Sequence, residues 1–160
     1  MLGVKMICVG KLKEKFYTDA AAEYAKRLSS YCRLEIEELA EQKLPDEPSP
    51  AEIEAALEKE KQAIMQKIPK GAAVIALCIE GKEMDSVKLS QTLEALAVRG
   101  SSKLCFIIGG SFGMHADVKS AAALRLSMSP MTFPHHLARI MLLEQIYRAF
   151  KISEGSKYHK

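Results

Sequence analysis

Residues 107–113 read IIGGSFG, and their chemistry lies in what three glycines permit. Gly109, Gly110 and Gly113 close the apolar run KLCFII. A glycine-rich turn after a buried strand lets backbone amides and carbonyls approach a ligand closely. The ligand is a nucleotide phosphate, a dinucleotide or a group without phosphate, and the residue types narrow that choice. A phosphate-binding loop needs GxxxxGK[ST], in which a lysine completes the wrap of amides. Here Met114-His115 stands where that lysine would be. A dinucleotide fold needs GxGxxG after its first strand, with an acidic residue about 20 positions on. These glycines come late and at another spacing. The common Rossmann-like methyltransferase fold also places its glycine loop early.

Metal and nucleophile chemistry find no better support. His135 and His136 are adjacent, so on a helix they diverge by roughly 100° and cannot share one ion. His115 and His159 have no paired ligand nearby in sequence, and neither a GxSxG elbow nor a cysteine–histidine motif occurs. No metal is expected. Cys8, Cys78 and Cys105 sit in apolar strand-like runs and Cys32 near a helix end, with no CxxC among them. They read as buried free thiols in a reducing compartment.

Three segments remain: Leu77–Lys82 (LCIEGK), Ile108-Gly109-Gly110, and Ser127–Phe133 (SMSPMTF). Each ends an expected buried strand, where ligands collect in open α/β sheets. The third is rich in hydroxyls and stiffened by Pro130. Backbone groups there can hydrogen-bond an uncharged heterocycle while Met128, Met131 and Phe133 cover its face. That describes an adenine pocket better than a phosphate cradle.

The elements that must position these segments alternate. An apolar strand spans 2–9. FYTDAAAEYAKRLSSY then places Phe16, Ala20, Tyr24, Leu28 and Tyr31 on one helical face. RLEIEELA alternates like a half-exposed strand. Ser49, Pro50 and Glu52 mark a helix start with a reciprocal capping box. Ile53, Leu57, Ile64 and Ile68 form that helix's stripe, and Pro69-Lys70-Gly71 ends it. AAVIALCI is a strand covered on both faces, followed by a turn, EGKEMDS. A helix carrying Leu89, Leu93, Leu96 and Ala97 leads into KLCFIIGG. A short helix (HADVKSAAA), a short strand (LRLSMS) and a long helix (MTFPHHLARIMLLEQIYRAFKI) complete the chain. This is an α/β fold with a mostly parallel sheet and helices on both faces, in one domain over 1–160. The last helix is apolar nearly all round, which predicts burial on two sides and a homodimer.

The chain has 160 residues, 48% hydrophobic and 27% charged, as expected for a soluble domain with one core. No apolar run approaches the roughly 20 residues of a membrane span, and MLGVKMICVGKLKEK does not read as a signal peptide. A cytoplasmic protein with no membrane partner is expected. A net charge of +3 does not by itself announce a nucleic-acid binder, but its distribution is uneven. Lys11, Lys13 and Lys15 cluster after the first strand. Arg148, Lys151, Lys157 and Lys160 mark the tail, while acidic residues concentrate from Glu35 to Glu60. Two basic ends suit either ordinary solvation or a localised contact with a polyanion.

IIGGSFG, LSMSPMTFPHHLARIMLLEQIYRAF and the terminal SKYHK, together with VGKLK and EGKEMDS, span essentially the whole chain. In combination they resemble the ribosomal RNA large subunit methyltransferase H family, minimal members of the SPOUT (α/β-knot) methyltransferases. The resemblance implies a homodimer with a C-terminal trefoil knot and S-adenosylmethionine as cofactor. It implies as substrate a pseudouridine in the helix 69 loop of large-subunit (23S) rRNA, methylated at N3 on the assembled ribosome. A SPOUT enzyme acting on tRNA, and a knotted module that binds RNA or a nucleotide without turnover, are the alternatives. By position, the family's cofactor contacts fall on Leu77, Gly109, Met128, Ser129, Pro130, Met131, Thr132 and Phe133. On this reading Gly109 and Gly110 lie flat against the cofactor, and Gly113 eases the turn.

Methylation at an imide nitrogen needs a cation to stabilise the anion formed when the proton leaves, and a base to accept that proton. Arg148, Tyr158 and His159 are the candidates, reaching the partner's cofactor across a dimer. Alternatively they only grip RNA, or Arg148 only pairs with Glu144 one turn away. Lys11, Lys13, Lys15 and Lys157 are the expected RNA-binding residues. His135 is expected at the helix start near the pocket, and His136 on the surface.

Overall fold

A computed structural model of the chain describes residues 1–99 and 102–160. Five parallel strands are joined by helical crossovers: β1 (Leu2–Val9), α1 (Lys15–Leu28), β2 (Cys32–Leu39), α2 (Pro50–Lys67), β3 (Ala73–Glu83), α3 (Ser86–Arg99), β4 (Lys103–Ile108), α4 (Ala116–Ala121), β5 (Leu124–Ser127) and α5 (His135–Ser153). The sheet order is β2-β1-β4-β3-β5, and every pairing is parallel. All the strand ends that carry candidate residues therefore emerge along one edge.

The strands' alternation explains why they read as continuous apolar runs. Val4, Met6 and Cys8 of β1 and Leu104, Phe106 and Ile108 of β4 point to one face, where Leu28 (α1), Leu93 (α3) and Leu142, Leu143 and Ile146 (α5) bury them. Ile7, Val9, Val74, Ala76, Cys105 and Ile107 point to the other, against Ile64 of α2 and Val118 of α4. With both faces covered, nearly every position of β1 and β4 is apolar; Lys5 is an exception and pairs with Glu35 and Glu37 of β2. The thiols inside this packing stay protonated: burial pushes Cys8 and Cys105 up to about 12 and Cys32 up to about 11. Among the described residues all four cysteines are free, and Cys32 opens β2 shortly after α1 ends at Leu28.

α2 begins as its residues dictate. The Ser49 hydroxyl accepts from the Glu52 amide (3.1 Å) and the Glu52 carboxylate accepts from the Ser49 amide (3.0 Å), with Pro50 at the first helical position.

Three expectations need correction. Phe16 is 65% exposed; it lies in the first turn of α1, whose buried residues are the expected Leu28 and, in place of Ala20, Ala21. EGK is not a turn but the end of β3. The strand kinks between Leu77 and Lys82 and pairs again with Leu126 and Ser127. A Cβ on Gly81 would lie 2.8 Å from the Arg125–Leu126 backbone, so the close approach requires glycine there. MTFP is a loop, and α5 starts at His135 after Pro134, since a residue preceding proline disfavours helical backbone. Around α5, the turn after α1 and helix α3 of the same chain cover part of its width: Tyr31 stacks on Phe150 (ring centroids 5.6 Å), and Ser90 donates to the Ala149 carbonyl (2.8 Å). Leu137, Met141, Glu144, Arg148 and Ile152 remain as a half-buried stripe along one side.

Candidate active site

The three strand-end segments meet around a cavity of about 630 Å³. Leu77–Glu80 form one wall, Ile108–Ser111 with Gly113 and Met114 a second, and Met128, Ser129 and Met131–His135 a third. Seven of the eight expected cofactor-contact residues line it: Leu77, Gly109, Met128, Ser129, Met131, Thr132 and Phe133. Pro130 does not. It is the apex of a loop in which Ser127 Oγ donates to the Ser129 carbonyl (3.1 Å) and Ser129 Oγ accepts from the Met131 amide (3.0 Å). Proline and hydroxyl turns restrict that loop before any ligand arrives.

Two of the glycines have a second reason beside any ligand, and both line the cavity. A Cβ on Gly109 would sit 2.3 Å from the Gly113 carbonyl oxygen, and one on Gly110 2.6 Å from Glu41 Oε1. At Gly109 the chain folds against its own backbone, so glycine is required there; at Gly110 the neighbour is a carboxylate that a Cβ would displace. Gly113 has φ +82° and nothing near its missing Cβ, which makes it the turn residue it was expected to be. Its amide donates to the Gly110 carbonyl (3.0 Å), closing the turn.

Charge in the cavity is balanced. Lys119 and Glu80 both line it and pair with each other, and the lysine's hydrogen bond holds the Glu80 carboxyl below its ordinary value. His135, where α5 begins, also lines it. Burial, then the neighbouring His136, lowers its pKa from the ordinary value, favouring the neutral ring. Cys78 is half-buried in the wall rather than in the core.

Beside the cavity lies a polar cluster that the sequence reading missed. Arg139 is 2% exposed; one of its amino groups donates to Glu38 Oε2 (2.6 Å) and the other to the Gly10 carbonyl (3.0 Å). Glu38 also accepts from the Leu12 amide (2.9 Å). Burial raises the Glu38 pKa, but these bonds outweigh it and leave the carboxyl below its ordinary value. Glu41 Oε1 accepts from the Ser111 amide (2.7 Å), fixing the glycine turn. One signal was available: Arg139 stands within HLARIMLL, where an unpaired charge has no place. The histidines also depart from expectation. Their rings meet edge to face at 4.3 Å instead of diverging. His136 is not on the surface: its Nε2 is buried and has no partner, and its side chain is only 20% exposed. Among the described residues no three His, Cys, Asp or Glu side chains are placed to hold a metal ion.

The remaining candidates gather elsewhere. Arg148 Nε donates to Glu144 Oε1 (2.7 Å), its guanidinium lies 4.7 Å from the centre of the Tyr158 ring, and His159 Nδ1 is 3.2 Å from its Nη1. The Tyr158 hydroxyl donates to Glu144 Oε2 (2.8 Å). So Arg148 of α5 and Tyr158 and His159 of the tail form one cluster, and none lines the cavity of its own chain. Lys11 and Lys13 are exposed in the loop after β1, on the cavity's edge of the sheet. Lys15 is exposed but bonded to Asp19 (2.6 Å), and Lys157 is exposed in the tail.

Known proteins agree with this arrangement. The family described as predicted SPOUT methyltransferase matches residues 2–159. A Clostridioides difficile protein named ribosomal RNA large subunit methyltransferase H is 49% identical over 99% of this chain and 100% of its own length. A Streptococcus uberis protein of the same name is 50% identical over 98% and 99%. A solved structure of a probable methylase family protein from Haemophilus influenzae shares the fold at 11% identity, with a TM-score of 0.52 over 97% of this chain and 67% of that one. With a cavity at the strand ends, a parallel sheet and near-complete coverage by these relatives, the chain belongs to the SPOUT methyltransferases, and within them to the ribosomal RNA large subunit methyltransferase H family.

Proposed function

We propose that the chain is an S-adenosylmethionine-dependent methyltransferase of large-subunit (23S) ribosomal RNA. In the finer reading it acts as a homodimer on N3 of a pseudouridine in the helix 69 loop of the assembled ribosome. The observation that carries the cofactor assignment is the balance of the cavity. Its walls are methionine, phenylalanine, leucine and exposed backbone, suited to a flat heterocycle. Its one lysine is neutralised by Glu80 and its histidine is held toward the neutral form, so little repels a cationic sulfur. The substrate assignment rests on the two relatives, which carry that name at about half identity over nearly the whole chain.

S-adenosylmethionine, when bound, supplies a methyl group activated by its positive sulfur. The protein's part is to hold the RNA nitrogen in line and to manage its proton. As the methyl reaches N3, the N3–H bond breaks and its proton needs an acceptor. The Arg148 cluster is outside its own cavity, so it serves the cavity of the second copy. The half-buried stripe Leu137, Met141 and Ile152, on the same side of α5 as Arg148, is the surface that second copy would cover. Burial, then the bond to Glu144, pushes the Tyr158 phenol above its ordinary value, so it stays protonated and donates. His159 is the proton acceptor in this reading, through the Nδ1 lone pair that faces Arg148 Nη1 at 3.2 Å and is released when the guanidinium turns to the developing anion.

The test is nucleoside mass spectrometry of rRNA from ribosomes lacking the modification, incubated with the protein and S-adenosylmethionine. Appearance of N3-methylated pseudouridine in helix 69 supports the finer reading. A methylated nucleoside elsewhere in the large-subunit RNA would retain the enzyme and refute the position.

A further inference from the structure

Phe112 sits at the tip of the turn between Gly110 and Gly113 and is 48% exposed. Its neighbours Ser111 and Gly113 line the cavity, but Phe112 itself does not. The turn beneath it is fixed from three sides. The Gly113 amide donates to the Gly110 carbonyl, the Ser111 amide donates to Glu41, and a Cβ on Gly109 would meet the Gly113 backbone at 2.3 Å. A large apolar ring is thus presented to solvent on a rigid mount at the rim of the cavity. Two further exposed apolar side chains, Met131 (72%) and Ile79 (51%), share that rim. Lys11 and Lys13 stand on the same sheet edge, where they suit the flanking phosphates.

Isolated exposed apolar residues are ordinary on a protein surface. A rigid aromatic beside a reaction cavity and near unburied lysines is a more specific combination. We infer that Phe112 is a positioning residue for the RNA, stacking on an unpaired base next to the nucleotide to be methylated. The inference rests on the proposed RNA substrate. Recognition of unpaired RNA proceeds by stacking splayed bases on aromatic side chains, and the rigid turn lowers the ordering cost of doing so. Phe112 therefore holds the RNA chain so that the target base can enter the cavity, and it takes no part in binding the cofactor.

Methyl transfer to assembled ribosomes is measured for the wild type and for F112A, F112L and F112W, together with cofactor affinity. F112A is expected to raise KM for ribosomes about tenfold, within the range of one base stack, leaving the cofactor Kd unchanged. F112L keeps the apolar bulk but lacks the flat π face, so it is expected to behave like F112A, while F112W restores the wild-type KM. The chain contains no tryptophan, so F112W also carries the protein's one indole, whose emission is expected not to vary with protein concentration. An unchanged KM in F112A would overturn the inference, as would rescue by F112L equal to that by F112W. An indole emission that shifts with concentration alone would place a second copy of the chain over the ring and would overturn it as well. Transfer by the wild type together with an unaffected F112A sinks this inference and spares the RNA substrate. No transfer by the wild type to any RNA sinks both.

Discussion

A Cβ on Gly109 would lie 2.3 Å from the Gly113 carbonyl oxygen, so the turn needs glycine there whatever else approaches it. Three glycines after a buried strand announced a close backbone approach, but not what approaches. The partner of Gly109 is the carbonyl of Gly113, and that of Gly110 is the Glu41 carboxylate, which lies about 70 residues away in sequence. G109A forces a methyl group onto backbone that cannot swing away. We expect a loss of about 1–3 kcal/mol in stability and loss of cofactor binding together, read by denaturant unfolding and calorimetry. Intact stability with lost binding would mean that the ligand, and not the turn, is what requires glycine there. Arg139 was not legible because its partners, Glu38 and the Gly10 carbonyl, are brought to it only by the fold. R139M strands the Gly10 carbonyl and part of Glu38, at a cost of about 3 kcal/mol; full stability of that variant in urea would show the cluster to be dispensable. His135 offers a test by pH. Its folded pKa lies below the unfolded value, so the unfolded chain binds more protons between the two. Stability therefore rises with pH and is lost as pH falls below about 6.5. His136, Glu41 and Arg139 are the charged or titratable groups that act on it. H135N should flatten the drop in Tm between about pH 7 and 5.5, and an unaltered slope would assign that drop to another group.

Elements were legible where local chemistry decides them. The capping box of α2 can be read from Ser49, Pro50 and Glu52 because all its partners lie within four residues. S49A should lower stability by about 1 kcal/mol, seen as a shift in urea midpoint with an unchanged slope; no shift would mean that packing alone sets this helix start. The end of β3 was illegible for the opposite reason. EGK has turn composition, yet Lys82 and Glu83 become strand because β5 offers them backbone partners from more than 40 residues further on. The breadth of the apolar surface on α5 pointed to two covers but could not apportion them. α1 and α3 supply one cover, and the stripe through Leu137 and Met141 is what remains for another.

At the scale of the whole molecule, the α/β class and the site's edge followed from alternation and from the rule that ligands gather at strand ends. The distance between the cavity and the Arg148 cluster did not, since only the folded chain reveals that they are separate. If a second copy supplies that cluster, two different defects should complement each other. A cavity variant such as M128E and a tail variant such as H159A would each be inactive alone. Mixed by co-refolding in equal amounts, they should recover about a quarter of wild-type activity, because half the dimers are mixed and each mixed dimer has one intact site. No recovery, with mixed dimers demonstrably formed, would place the tail's work within its own chain. The central claim is that the enzyme acts on ribosomal RNA. The most direct measurement is transfer of labelled methyl from S-adenosylmethionine to assembled ribosomes, with free large-subunit rRNA and tRNA as comparisons. Label in the large-subunit RNA of ribosomes and none in tRNA is the result we predict; label in tRNA alone, or cofactor binding with no transfer to any of the three, would contradict it.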